Sequence, residues 1–449
     1  MNNYWQKITK NSYIFGRKGN PLKGTVRISG AKNMVTKIMT ASLIAPDGKL
    51  TIKNVPLIGE VFMTLDFFDQ MGVRYNFLPE KRVLEIETEE FGSSRVEFKG
   101  EEGNRISLLL AGPIVSRFGQ ATIAKPKGCK IGLRKIDFHL EGLEKLGVEI
   151  KETEDFLYLK VGKKGLRGAE IQLPFPSVGA TENMIITASC AEGETTIKNC
   201  AFEPEIIELI KFLQEAGVEI AFSEDRSIHL RGTKKIKLSE VTIIPDRVET
   251  MSLAAAGLST QGDVFLEGAK TDLIIRPLEI LEKMGAGIEN NEKGIRFFYK
   301  KPLKPISLKT EVYPGFPTDF QQPLAIILSQ VKGVSSLHET IFENRFEYLR
   351  LLNPLLRGEK KFKILNDCPD EEKCRFFGKN YPHLAVISGP MEFGKGEISL
   401  PDLRAGFAIL NAACLSEGIK ISNLGLLFRG YEDPVGKLKA LGAEIELVI

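Results

Sequence analysis

Tryptophan occurs once and histidine four times, at positions 139, 229, 338 and 383, in a chain of 449 residues. The histidines stand far apart, and the five residues between Cys368 and Cys374 do not match the ligand spacing of common zinc sites, so no metal is expected. Charge of one sign is not in excess either. Lys plus Arg number 61 against 58 Asp plus Glu, a net +3, which argues against a nucleic-acid or membrane partner. No apolar run approaches the ~18 residues of a membrane span. Met1 to Lys18 has neither the apolar core nor the small-residue cleavage site of a signal peptide. The six cysteines (129, 190, 200, 368, 374, 414) form no framework spacing, so they read as reduced thiols of a cytoplasmic protein. Nucleotide loops are missing as well. No Gly-x-Gly-x-x-Gly follows a strand, and the string from Gly389 through Gly394-Lys395-Gly396 lacks the Ser/Thr that holds magnesium and reads as a turn. No Gly-x-Ser-x-Gly elbow is present.

What the sequence does contain is a sixfold repeat. A glycine followed by a short β-branched strand occurs at Gly48, Gly119, Gly193, Gly262, Gly333 and Gly418, at intervals of 71, 74, 69, 71 and 85 residues. Each repeat predicts a helix, this strand, a second helix and an ending such as KLGVEIK (145–151) or EAGVEIA (215–221). The long fifth interval locates an insertion between Phe346 and Leu400. Repeats one to four add two strands with a turn, and the sixth lacks them. The N-terminal stretch SYIFGRKGNPLKGTVRIS resembles the missing piece, so residues 13–29 are expected to complete the sixth repeat. That predicts an α/β chain of two three-repeat domains, 30–244 and 1–29 plus 245–449. The chain would cross between them near Ser29–Gly30 and Pro245, as a hinge beside a substrate cleft.

The first helices open at SGAKN (29–33), GNRIS (103–107), SVGATEN (177–183), PDRVE (245–249), PTDFQ (317–321) and PDLRA (401–405), where Ser29, Asn104, Ser177, Asp246, Thr318 and Asp402 suit the N-cap. Four openings carry a cation in the first turn: Lys32, Arg105, Arg247 and Arg404. The helix dipole disfavours a cation there, so either a cap aspartate pairs with it or cations and helix N–H groups together receive an anion. Several such ends suggest a substrate with multiple negative charges. Cys129 stands in a cationic, glycine-bounded loop, Lys125-Pro-Lys-Gly-Cys-Lys-Ile-Gly-Leu-Arg134, where nearby positive charge favours a reactive thiol. Cys190 and Cys414, flanked by alanine in matching helices, read as packing residues.

SGAKN, the GCKIGLRKIDFH loop, FPSVGATEN, PGFPTD, FENRF, PDLRA and FRGYE, in this order along nearly the whole chain, resemble the motif series of the UDP-N-acetylglucosamine 1-carboxyvinyltransferase family. The resemblance implies two inverse (inside-out) α/β barrels, each of three βαβαββ repeats. It implies transfer of enolpyruvate from phosphoenolpyruvate to the 3′-hydroxyl of UDP-N-acetylglucosamine, releasing phosphate, without metal or organic cofactor. The partners implied are these two substrates, with no nucleic acid or membrane, and a monomer or weak oligomer. Carried onto this sequence, Lys32 and Asn33 would hold phosphoenolpyruvate, with Arg134 and Arg429 around its phosphate and Arg345 and Arg404 on its carboxylate. Arg105, the run Arg134-Lys135-Ile136-Asp137-Phe138, and Ser177-Val178-Gly179 would contact the uridine diphosphate, and Asp319 and Ile341 the sugar. Cys129 would be the acid and Asp319 the base; in the bland alternative Asp319 only stabilises its helix dipole. The catalytic set thus expected is Cys129, Asp319, Lys32 and Arg429. Two alternatives remain open: transfer to another nucleotide-sugar hydroxyl, or a catalytically silent UDP-sugar sensor. The Cys129 loop is more basic than usual for the family, and the fifth repeat resembles it poorly from Glu347 through Gly396.

Overall fold

Each repeat begins with a helix apolar on nearly every side, and such a helix can only sit inside. The six are Lys32–Ser42, Ile106–Phe118, Val178–Ala188, Arg247–Ser259, Gln321–Ser329 and Leu403–Ala413. Arg247–Ser259 is buried along its whole length. The structure is a computed structural model that describes residues 12–448 except 47, 90–91, 98–104, 127–135, 360 and 370–373. Among the described residues the chain divides into two compact units, one within 30–244 (residues 30–126 with 136–244) and the other formed by 12–29 with 245–448. Among the described residues no helix is long and apolar enough to cross a membrane.

In the 245–448 unit the three first helices pack on one another; in the 30–244 unit Ile106–Phe118 packs against both others. Gly112 permits one of these approaches, because a Cβ there would lie 2.0 Å from Thr187 Oγ1. Among the described residues six sheets lie around the helices, three per unit, which makes each unit an inside-out α/β barrel. The strand after each repeat glycine alternates buried and outward positions, as in Lys49–Lys53 and Asp263–Glu267, so one face rests on the helices.

Each repeat hands its last strand to the next sheet. Arg95–Val96 pairs in parallel with Gln120–Ala124, and Glu170–Gln172 with Glu194–Lys198; Glu240–Thr242 returns to Lys49–Lys53 and closes a ring of three. The other unit does the same with Ser307–Lys309 on Gly333–His338 and Glu392–Ser399 on Ser416–Ser422. This rule divides the N-terminal stretch between two repeats. Tyr13–Arg17 lies antiparallel between Ser416–Ser422 and Glu444–Val448, inside the sixth repeat's sheet. Lys23–Arg27 instead pairs in parallel with Asp263–Glu267 of the fourth, because that sheet needs the strand that closes its ring.

The string from Gly389 through Gly394-Lys395-Gly396 is also not a simple turn. Gly394 and Gly396 lie within Glu392–Ser399, where a Cβ would meet the Leu355 carbonyl oxygen at 3.1 Å and the Leu355 side chain at 2.2 Å respectively. In the fifth repeat, Gly333–His338 and Leu384–Gly389 pair antiparallel with His338 opposite Leu384, and the extra residues lie between them in sequence.

Candidate functional site

In the 30–244 unit, Lys32 is the first residue of its helix. The cap position is Ala31, which offers no side-chain acceptor, and not Ser29. Ser29 is committed elsewhere: its N–H donates to Glu249 Oε2 at 2.7 Å and its hydroxyl accepts from Lys437 Nζ at 2.7 Å. Lys437 also pairs with the buried Glu249 carboxylate at 2.6 Å, so Ser29 helps to satisfy a buried acid. Burial pushes the Glu249 carboxyl above its ordinary range, against the pull of Lys437. The Lys32 ammonium sits 2.8 Å from Glu60 and 3.5 Å from Asn33 Oδ1.

Deeper in the same unit lies Glu182, 3.9 Å from Lys37 and with Oε1 lacking a hydrogen-bond partner. Desolvation pushes its carboxyl up to about 7, with Lys37 opposing the shift. The folded protein therefore holds a proton that the unfolded chain has already released above its ordinary value of 4.5. This contribution to stability is complete below that value and is lost as pH rises through about 7, at most about 3 kcal/mol. Glu182→Gln, which cannot ionise, is expected to gain on the wild type by up to about 3 kcal/mol between pH 5 and pH 8. Urea midpoints at the two pH values measure this; an equal gap at both would refute it.

Three helix starts meet around His139. Arg105 occupies the cap position of Ile106–Phe118, and Ile136 that of Asp137–Lys145. Ser177 caps Val178–Ala188, its hydroxyl accepting from Ala180 N at 3.4 Å. A Cβ on Gly179 would stand 3.3 Å from the His139 ring, and His139 Nδ1 lies 3.1 Å from Asn183 Nδ2, which donates to Leu108 O at 3.3 Å. Ile136, Asp137 and Phe138 are thereby brought beside Ser177, Val178 and Gly179, with Arg105 on the adjoining helix. His139 and Asn183 organise this group and were not singled out by sequence, although both stand inside motifs that were. Asn104, Cys129, Arg134 and Lys135 lie outside the described residues.

In the 245–448 unit, Asp319 is held between two arginines: Arg345 Nη2 at 2.6 Å from Oδ1 and Arg404 Nε at 3.1 Å from Oδ2. Both guanidinium side chains are almost fully buried while Asp319 keeps 27% exposure, so its carboxylate is the accessible part of the cluster. Arg404 Nη1 is buried without a hydrogen-bond partner. Arg404 comes from the expected cap motif, with Asp402 accepting from Arg404 N and Ala405 N. Thr318 is no cap: Thr318–Phe320 form a 3₁₀ turn, and the Thr318 hydroxyl donates to Glu339 at 2.8 Å.

Glu339, which sequence reasoning missed, is fully buried and organises the loop that follows it. Its carboxylate accepts from Thr310 Oγ1 (3.1 Å), Thr318 Oγ1, Ile341 N (2.8 Å) and Phe342 N (3.1 Å). Burial pushes its carboxyl up, opposed by Arg345 and these donors. Ile341 and Arg345 are presented by that loop; Gln322, its amide oxygen turned to Arg345 Nε at 2.6 Å, fixes the guanidinium further. Arg404 lies over the Tyr431 ring at 5.5 Å, and Arg429 stands two residues earlier, ending the short helix Gly425–Phe428. Asp246 caps its helix through Val248 N and Glu249 N, while Arg247 lies over the Phe320 ring at 5.5 Å. Thus Asp319, Arg345 and Arg404 form one group, Ile341 lies on the loop that presents Arg345, and Arg429 stands two residues before the ring beneath Arg404.

Two further expectations concern cysteine and histidine. Cys190 and Cys414 lie just past the ends of matching helices, and burial pushes their thiols up to about 11 and about 12, as inert packing residues require. Two of the histidines that stand far apart in sequence meet two cysteines in space. The ligand atoms of His338, Cys368, Cys374 and His383 all lie within 4.8 Å of one another, because strand pairing joins residues that are distant in sequence.

Residues 16–438 match the family described as EPSP synthase (3-phosphoshikimate 1-carboxyvinyltransferase). The chain is 42% identical over 430 residues to a UDP-N-acetylglucosamine 1-carboxyvinyltransferase of Chlamydia pneumoniae, covering 95% of this chain and 93% of the relative. It is 43% identical over 436 residues to the enzyme of that name from Chlamydia muridarum, covering 96% and 97%. Among solved structures, the enolpyruvyl transferase NikO from Streptomyces tendae superposes with a TM-score of 0.84 at 21% identity over 97% of this chain and 99% of that one, a likeness of fold. Near full-length identity of this degree means that the chain belongs to the UDP-N-acetylglucosamine 1-carboxyvinyltransferase family.

Proposed function

We propose that this chain is a transferase that moves the enolpyruvyl group of phosphoenolpyruvate to the 3′-hydroxyl of UDP-N-acetylglucosamine and releases phosphate, the first committed step of peptidoglycan precursor synthesis. The observation that carries this reading is the near full-length identity to transferases of that name. Addition requires a proton on the methylene carbon of phosphoenolpyruvate, a bond from the sugar 3′-oxygen to its C2, and removal of the hydroxyl proton. Elimination then breaks the bond from C2 to the phosphate oxygen and removes a proton from the former methylene carbon, leaving the enol ether.

Asp319 is suited to take the hydroxyl proton, since its partly exposed carboxylate is the accessible member of a cluster with two buried arginines. Arg345 and Arg404 suit the phosphoenolpyruvate carboxylate, because guanidinium forks match planar oxygens. Lys32, Asn33, Arg134 and Arg429 are assigned to phosphoenolpyruvate and its phosphate, and Cys129 to protonation of carbon. Arg105, Lys135, Ile136, Asp137, Phe138, Ser177, Val178 and Gly179 are assigned to the uridine diphosphate, for which the helix starts around His139 offer N–H groups. Ile341 joins Asp319 on the sugar. The proposal includes a cytoplasmic location, where both substrates are made, and a monomer or weak oligomer.

A panel of nucleotide sugars incubated with phosphoenolpyruvate tests the acceptor. Mass spectrometry is expected to find the enolpyruvyl adduct on UDP-N-acetylglucosamine. Transfer to a different sugar alone would reassign the substrate. Tight UDP-sugar binding with no adduct on any acceptor would make the chain a sensor.

A further inference from the structure

We propose that His338, Cys368, Cys374 and His383 bind a structural zinc ion that fastens the fifth-repeat insertion to its sheet. A tetrahedral zinc site places sulfur and nitrogen ligands about 3.3–3.8 Å apart, given metal distances of about 2.3 Å to sulfur and 2.0–2.1 Å to nitrogen. Here Cys368 Sγ lies 3.8 Å from His338 Nε2, and the four ligand atoms fall within a 4.8 Å span, so a small contraction completes the site. Two thiolates and two imidazoles select zinc over magnesium or calcium, and four protein ligands close the site in the manner of structural zinc.

The protonation pattern points the same way. His383 Nδ1 lies 2.6 Å from Tyr381 O, a carbonyl that can only accept, so the ring proton is on Nδ1. That leaves Nε2 with its lone pair, and Nε2 is buried without a hydrogen-bond partner in a residue only 1% exposed. A backbone carbonyl behind a histidine is the usual device for orienting a metal ligand. Cys374 Sγ accepts from Phe376 N at 3.4 Å, a donor that would steady a thiolate. The buried Phe376 ring stands edge-on to His383 at 5.7 Å and screens the group from water.

The site also accounts for the insertion. His338 ends the strand Gly333–His338, and His383 immediately precedes its antiparallel partner Leu384–Gly389. Cys368 and Cys374 come from the connection 366–383, far longer than the ~2–5 residues that usually join such strands. Among its described residues there is neither helix nor strand to hold it. An ion bound by two residues of the sheet margin and two of the connection supplies the missing fastening. Glu339 N donates to His383 O at 2.7 Å, and Arg375 pairs with Glu343 at 3.5 Å, so the connection abuts the loop that presents Ile341 and Arg345.

The full-length chain, purified without chelator or metal-binding tag, is expected to carry about one zinc per chain by elemental analysis. His383→Gln and the double variant Cys368→Ser/Cys374→Ser are expected to weaken zinc binding by more than the ~10–100-fold that loss of an outer-shell partner costs. Should a variant fold poorly, cobalt exchanged into the wild-type chain decides the matter, since thiolate-to-cobalt charge transfer with intense tetrahedral visible bands requires thiolate ligands in a tetrahedral site. Absence of both zinc and cobalt uptake would overturn the proposal. So would a chain mass two hydrogens short with Cys368 and Cys374 joined as a disulfide.

Discussion

Replacing Asp319 by asparagine is expected to lower turnover by ~10²–10⁴-fold, the contribution of a positioned proton acceptor. Asparagine keeps the size and one acceptor oxygen but cannot take a proton. Affinity for UDP-N-acetylglucosamine, read by calorimetry, should stay within about threefold, because the uridine diphosphate contacts are assigned to other residues. The substitution also leaves Arg345 and Arg404 facing each other without their shared anion. A fall in melting temperature should accompany the lost turnover, and phosphoenolpyruvate, which supplies a carboxylate, should restore part of it. Turnover within threefold of wild type would remove Asp319 from the chemistry and leave it only the task of holding two arginines.

Glu339→Ala should have the largest effect on stability. It strands the hydroxyls of Thr310 and Thr318 and the N–H groups of Ile341 and Phe342, all donating to one buried carboxylate, and it takes an anion from near Arg345. Loss of one partner from a buried charged network costs about 3–5 kcal/mol, more than the summed worth of ordinary hydrogen bonds. Urea unfolding is expected to show that loss, and the phosphoenolpyruvate KM should rise as the loop loses its grip on Arg345. A loss below about 1 kcal/mol would mean that water replaces the carboxylate and that the loop holds itself.

The repeat, and with it the fold class, is legible because each copy must bury a nearly all-apolar helix under an alternating strand, and both patterns leave periodic marks. The destination of Lys23–Arg27 is less so. A strand records that it is a strand, whereas its partner is set by the ring that needs closing. Helix caps divide along the same line. Ser177, Asp246 and Asp402 accept from the first-turn N–H groups of their helices, while Ser29 and Thr318 are drawn off by the buried acids Glu249 and Glu339. Those acids were invisible in the sequence, since a glutamate inside a helix or after a strand reads as a solvated charge until the fold buries it. Arg345 and Arg404 were found through their motifs, yet their sharing of Asp319 across 26 and 85 residues of chain could not be read from spacing. His338 and His383 fail the sequence test for a metal site for the same reason: 44 residues separate them, and one turn of strand pairing brings their ring centres to 5.2 Å.

Phosphate release from phosphoenolpyruvate, followed with and without UDP-N-acetylglucosamine, tests the central claim most directly. Release that requires the sugar nucleotide and matches the enolpyruvyl adduct mole for mole is the expected result. Phosphate released equally in its absence, or none released in its presence by a chain that still binds the nucleotide, would contradict it.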